Sequence, residues 1–261
     1  MKKVKPIAGT QSIERASHLL RIIASRNSVG LRLVDIAKQA KLERPTVHRI
    51  LKCLTAEGLI SQSAETRRYF LGHVIFELGL AASSSFNLRD ICRPALARLA
   101  EKSGDTVFLS IRSGADSVCI DRLAGAFPIK TFTLDIGTRR PLGVGAGGLA
   151  LMMNISEQTQ QEIVSANALR LSAYNNLTVP IVMKLLRRCR DLGFALNDAQ
   201  VTKGSSSVGL PVRSRSGEPV LAISIGAISS RMTKERQKEL VAMIRLELEN
   251  LEPHIEETAH P

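Results

Sequence analysis

Arg44, Pro45, Thr46, His48, Arg49 and Lys52 crowd into residues 44–52, and the apolar residues among and after them are Val47, Ile50, Leu51 and Leu54. At 100° per residue those four apolar side chains share one stripe of a helix. Pro45, Arg49 and Lys52 then face the other way, with Thr46 and His48 on the flanks and Arg44 at the start. Pro45 suits a first turn, where a missing N–H removes no bond. An α-helix fits the major groove of B-DNA, and a guanidinium pairs bidentately with guanine O6 and N7. Arg44–Leu54 therefore has the chemistry of a base-reading helix. A three-helix bundle with a solvated outer face carries the same residue types, and this helix alone weighs the two readings equally.

Two arginines downstream tip that balance. Gly58-Leu59-Ile60 closes the helix and opens an extended run, Ser61–Thr66 reads as a polar turn, and Arg67-Arg68-Tyr69-Phe70-Leu71-Gly72 returns as a strand. Arg67 and Arg68 on such a wing lie along the phosphate backbone and supply affinity without sequence information. Upstream, Ile13, Ala16, Leu19, Leu20 and Ile23 recur at helical spacing behind Ser12 as N-cap. Leu33, Ile36, Ala37 and Ala40 form the face of a second short helix, and Lys41-Leu42-Glu43 makes the turn into the third. Charge agrees with this placement. Of the formal net charge of +12, residues 1–72 hold +9 (14 Lys/Arg against 5 Asp/Glu) and the other 189 residues +3 (22 against 19). The part that faces a polyanion is N-terminal.

The second part offers less chemistry. Its one motif, Gly143-Val144-Gly145-Ala146-Gly147-Gly148, satisfies G-x-G-x-x-G, yet Arg139-Arg140-Pro141 precedes it where a dinucleotide fold needs a buried strand. The glycine loop and a helix after it would instead offer free backbone N–H groups to a small carboxylate. All five histidines lie outside residues 74–253, which argues against a hydrolase triad or a His-based metal site there. Cys53, Cys92, Cys119 and Cys189 form no C-x-x-C pair, so neither zinc module nor disulfide framework is expected, and a reducing cytoplasm fits. The basic opening Met1–Pro6 has no apolar signal core after it, and Val144–Met153 is too short to span a bilayer. No membrane partner and no cofactor are expected.

Coarse patterning predicts an α+β second domain with a mixed, mostly antiparallel sheet. Strands are expected at Thr106–Arg112, Ser117–Leu123, Ile129–Asp135, Ser207–Val212 and Val220–Ala227. Helices are expected near Gly148–Met153, Glu157–Ala166, Val179–Leu192 and Lys234–Leu251. Leu78–Ala82 and a helix over Leu88–Lys102 would carry the chain between the domains and make a dimer contact.

Gln11-Ser12-Ile13-Glu14-Arg15-Ala16, Pro45-Thr46-Val47-His48-Arg49-Ile50-Leu51 and Arg68-Tyr69-Phe70-Leu71-Gly72 resemble, in order and spacing, the DNA-binding domain of IclR-type bacterial regulators. The resemblance continues through Gly137–Leu142, Arg187–Ala195, Gly209–Val212 and Ala222–Ile225. It implies a flexible tail over residues 1–10, a winged helix-turn-helix over 11–73, a linker helix region over 74–90 and a GAF-like effector-binding and oligomerisation domain over 91–261. It further implies dimers or dimer pairs on a palindromic operator, with a small organic acid as effector. In the family the effector pocket maps onto Ala146, Gly147, Asn197, Ser207 and Ser224; the lesser alternative for each serine is a surface turn or strand residue satisfied by backbone. Three positions depart from the family pattern. Gly143 replaces a common His, Leu149 a common Lys and Gln200 a usual Glu, so a less polar pocket and an aromatic or branched acid are expected. An architectural DNA-binding protein with a purely dimerising second domain, and a nucleotide-binding enzyme using the Gly143–Gly148 loop, are the alternatives.

Overall fold

The computed structural model describes residues 10–83, 88–199, 201–214, 217 and 219–255. The expected basic tail, Thr10 apart, lies outside the described residues, as do Gln200 and His260. Two compact units divide the chain at Ser85/Phe86.

In the first unit, α1 (Gln11–Ala24), α2 (Leu33–Ala40) and α3 (Arg44–Ala56) turn their apolar stripes inward onto Leu19, Ile23, Ile36, Val47 and Leu51. Helix α1 starts before the expected Ser12 cap. The Thr10 carbonyl already accepts the Glu14 N–H at 3.0 Å, so helical bonding begins ahead of the apolar stripe and Ser12 lies inside the helix. Lys41, left-handed at φ 54°, ends α2 and makes the tight turn into α3, which carries Pro45 in its first turn. The wing consists of β1 (Ile60–Gln62) and β2 (Tyr69–Leu71), paired antiparallel with Ser61 opposite Phe70. Leu31 and Tyr69 exchange backbone hydrogen bonds of 3.1 and 2.8 Å, which ties the wing to the segment between α1 and α2. Helix α4 (His73–Ser83) follows directly and belongs to this unit, leaving Phe76, Leu78 and Leu80 exposed.

The second unit runs α5 (Leu88–Ser103), β3 (Thr106–Ser113), β4 (Asp116–Ala124), β5 (Arg139–Pro141), α6 (Gly145–Ala150), α7 (Glu157–Ala166), α8 (Ala168–Leu171), α9 (Val179–Leu192), β6 (Ala195–Asp198), β7 (Ser205–Arg213), β8 (Pro219–Ile228) and α10 (Lys234–Leu251). Its six strands lie in the order β5-β4-β3-β8-β7-β6, every neighbouring pair antiparallel, so the sheet is not mixed. Successive side chains along a strand point to opposite faces. Val107, Leu109, Val208, Leu210, Ile223 and Ile225 accordingly enter one core beneath α5 and α10. Phe108, Ser110, Ser207, Gly209 and Ser224 take the opposite face, where α6 packs against β7 and β6. Helix α5 buries Leu88, Cys92, Leu96 and Leu99 in the first core, so it is a body helix of this unit and not a connector.

The expected strand Ile129–Asp135 is irregular backbone, because Arg139–Pro141 occupies the edge beside β4 that it would have needed. Ile129 and Phe132 are exposed, while Thr131 Oγ1 donates to the Gly226 carbonyl at 2.7 Å and draws the segment over the sheet. Two strands escaped sequence patterning, β5 and β6, at three and four residues too short to show a period. Helix α6 starts at Gly145, inside the glycine run, and not at Gly148. An all-antiparallel sheet contains no βαβ unit, which removes the dinucleotide reading. Among the described residues no helix is long and apolar enough to cross a membrane.

Gly30 has φ +69°, and a Cβ there would lie 2.5 Å from the Phe70 ring. Gly30→Ala should lower the thermal transition of the first unit by more than the roughly 1 kcal/mol that left-handed backbone alone costs; differential scanning calorimetry checks this. Burial pushes the Cys92 and Cys119 thiols up to about 12, whereas Cys53 on α3 is exposed. Brief iodoacetamide treatment of the native protein at neutral pH should therefore label Cys53 alone, read by peptide mass mapping.

Candidate functional site

Helix α3 presents Arg44, Pro45, His48, Arg49 and Lys52 to solvent and half-buries Thr46, as its inward stripe of Val47, Leu51 and Leu54 requires. No ion pair or side-chain hydrogen bond to another described residue engages Arg44, His48, Arg49 or Lys52. Their charged and polar ends are available to a partner. An open groove of about 330 Å³ joins α3 to the wing and is lined by Arg32, Leu33, Val34, His48, Gln62, Arg67 and Tyr69. The structure thus brings His48 and Arg67 together.

The two wing arginines separate in role. Arg67 sits at the tip with φ 56° and is exposed. Arg68 is half-buried and its Nη1 donates to the Gly30 carbonyl at 2.8 Å, so this guanidinium braces the wing. Arg32, missed by the sequence reading, stands at the mouth of the groove, paired with Asp35 at 3.3 Å but 60% exposed. Its position just ahead of α2 was the available signal.

In the second unit a cavity of about 30 Å³ lies between α6 and the sheet face that carries the serines. Ala146, Gly147, Asn197, Ser207 and Ser224, drawn from four separate elements, all line it. Pairing explains their meeting. Asn197 stands opposite Ser207 across β6 and β7, and Ser224 opposite Gly209 across β8 and β7. Gly147 brings α6 close, since a Cβ there would lie 3.1 Å from Ser110 Oγ and 3.6 Å from Ser224 Oγ. Among the described residues the side chains of Ser110, Ser117, Asn197, Ser207 and Ser224 make no hydrogen bond to another protein group, so the serines are not satisfied by backbone.

Sequence reasoning missed Arg140, which enters the same cavity from β5. Its Nη2 donates to the Thr133 carbonyl and its guanidinium lies 5.7 Å from the centre of the Tyr174 ring. Burial pulls its pKa below the usual arginine value, although arginine keeps its proton at neutral pH. No carboxylate pairs with it among the described residues; Asp116 nearby in sequence is taken by Arg139 and Arg170. The signal was the Arg139-Arg140 pair itself, read only as an argument against a nucleotide fold.

The lining is of mixed character: the hydroxyls, the Asn197 amide and the Arg140 guanidinium share it with Phe108, Leu134, Val144 and Val201. The departures from the family pattern also act differently from what was expected. Leu149 is 1% exposed and belongs to the core beneath α9. Gly143 has φ +91°, and a Cβ would lie 2.5 Å from Val182 Cγ1, so packing rather than pocket chemistry demands glycine.

Residues 12–64 match the family model of the IclR helix-turn-helix domain, and residues 80–250 that of the bacterial transcriptional regulator IclR C-terminal domain. The acetate operon repressor of Salmonella typhimurium strain LT2 is 29% identical over 243 residues, covering 92% of this chain and 88% of the repressor. A crystal structure of an IclR transcriptional regulator from Alicyclobacillus acidocaldarius shares the fold at TM-score 0.75 and 21% identity, covering 93% of this chain and 97% of that one. So does an IclR homologue from Microbacterium hydrocarbonoxydans solved in complex with 4-hydroxybenzoate, at TM-score 0.69 and 18% identity, with 92% and 99% covered. The two family models follow one another along the chain as the two units do, and this protein belongs to the IclR family of bacterial transcriptional regulators.

Proposed function

We propose that this chain is a transcriptional repressor that grips a palindromic operator through Arg44, Pro45, Thr46, His48, Arg49, Lys52 and Arg67, with that grip adjusted by a small organic acid bound in the cavity beside α6. The observation that carries the effector part is the convergence on one cavity of Ser110, Ser117, Asn197, Ser207 and Ser224, whose side chains have no hydrogen-bond partner among the described residues. Buried polar groups normally find hydrogen-bond partners, so a cluster without them is built for something that enters. The complex of the Microbacterium homologue with 4-hydroxybenzoate, and the repressor role of the Salmonella relative, support the same reading. Homodimers or dimer pairs suit a palindrome, and the exposed Phe76 and Leu78 of α4 offer one apolar patch for self-association.

A ligand shifts DNA affinity only by its differential affinity for the DNA-bound and free forms. Fluorescence anisotropy with an operator from the adjacent intergenic region, titrated with and without small carboxylates, should show at least one acid changing Kd by about tenfold or more. If no acid changes it and sequence preference is slight, the second unit serves assembly alone. Arg49→Ala should weaken specific operator binding by about tenfold or more with an unchanged melting temperature. Arg67→Ala should instead flatten the slope of log K against log salt by about one contact, equally on any sequence. Arg68→Ala should lower the melting temperature of the first unit, because the Gly30 carbonyl loses its donor.

A further inference from the structure

Resting on the reading of the cavity beside α6 as the effector site, the chemistry of its lining narrows the class of acid. A guanidinium drawn partly out of water carries a cost that an opposite charge relieves best. Arg140 has no such match among the described residues; besides the Thr133 carbonyl it faces the Tyr174 ring and the Cys119 thiol, neither of them a carboxylate. Nor does the cavity lining offer a second cation. Every other polar group there is a hydroxyl or amide, able both to donate and to accept. The cavity is small, at about 30 Å³, so a short acid needs less widening of its walls than a ring does.

We infer that Arg140 anchors the single carboxylate of a short hydroxylated aliphatic acid, whose remaining oxygens are taken by Ser110, Asn197, Ser207 and Ser224. One cation selects one carboxylate and disfavours dicarboxylates, whose second charge would be left unpaired. The neutral hydroxyl lining selects oxygen-bearing carbons and disfavours bare apolar ones.

Isothermal titration calorimetry of the full chain tests this with glycerate as probe and with glycerol, tartrate and benzoate as comparison ligands. Glycerate should bind the wild type, and glycerol, tartrate and benzoate at least about tenfold more weakly. Arg140→Gln should weaken glycerate by about 30-fold, within the range for a hydrogen bond to a charged group. Arg140→Lys, which keeps charge but not the planar fork, should fall between. The ligand-free melting temperature of Arg140→Gln should be equal to or above that of the wild type, because an unmatched charge has been removed from a partly buried site. A lower value would show the arginine already compensated within the fold and would overturn the inference. Equal glycerate affinity in wild type and Arg140→Gln overturns Arg140 as anchor, while the acid-effector reading stands. Tighter binding of tartrate or benzoate than of glycerate overturns the ligand class alone. Binding of no acid at all overturns both.

Discussion

The two-residue alternation of β3, β7 and β8 is the constraint on which the second unit depends. One set of side chains, from Val107 to Ile225, is driven into the core under α5 and α10. The set between them cannot follow, and lands on the opposite face. A slip of one residue in register would exchange Ser224 for Ile223, flooding the cavity with apolar bulk and burying hydroxyls in the core. The pocket is therefore the obligatory reverse of the hydrophobic core, and selection on core packing also holds the pocket hydroxyls in place.

Helix α6 closes the cavity because three features keep it near the sheet. Gly147 admits Ser110 and Ser224 where a side chain would stand, Gly209 lets β7 approach, and Leu149 and Ala150 are buried in the core on the helix's other side. Arg140 then arrives from the opposite edge of the sheet, with Asp116 already held by its neighbours Arg139 and Arg170. Adjacent arginines on one short strand point to different surroundings, so Arg139 pairs with Asp116 and Arg140 faces the cavity.

The first unit uses the same economy of parts. The Leu31 and Tyr69 backbone bonds make the wing an extension of the helical core, and Arg68 reinforces that joint from its side chain. Arg67, one residue earlier, remains at the tip. Neighbours that look equivalent in a charge count differ because Arg67 turns the chain in left-handed backbone at the tip while Arg68 lies back against Gly30.

The amino-acid sequence by itself determined the family, the winged helix-turn-helix with the exposed polar face of α3, and five positions, Ala146, Gly147, Asn197, Ser207 and Ser224, that line one cavity. Helical stripes such as Val47, Leu51 and Leu54 are periodic over several turns and survive any context, and motif spacing carries the rest. Tertiary structure decided what depends on pairing or on neighbours distant in sequence. It left Ile129–Asp135 irregular because a three-residue strand took the edge, made α5 a core helix because its apolar face meets the sheet, and gathered serines in one cavity because strand alternation delivers them to one face. It also decided that Arg140 lines the cavity without a carboxylate partner among the described residues. Pairing of a cation is a fact about which carboxylates lie near it in space, and no local pattern of residues encodes that.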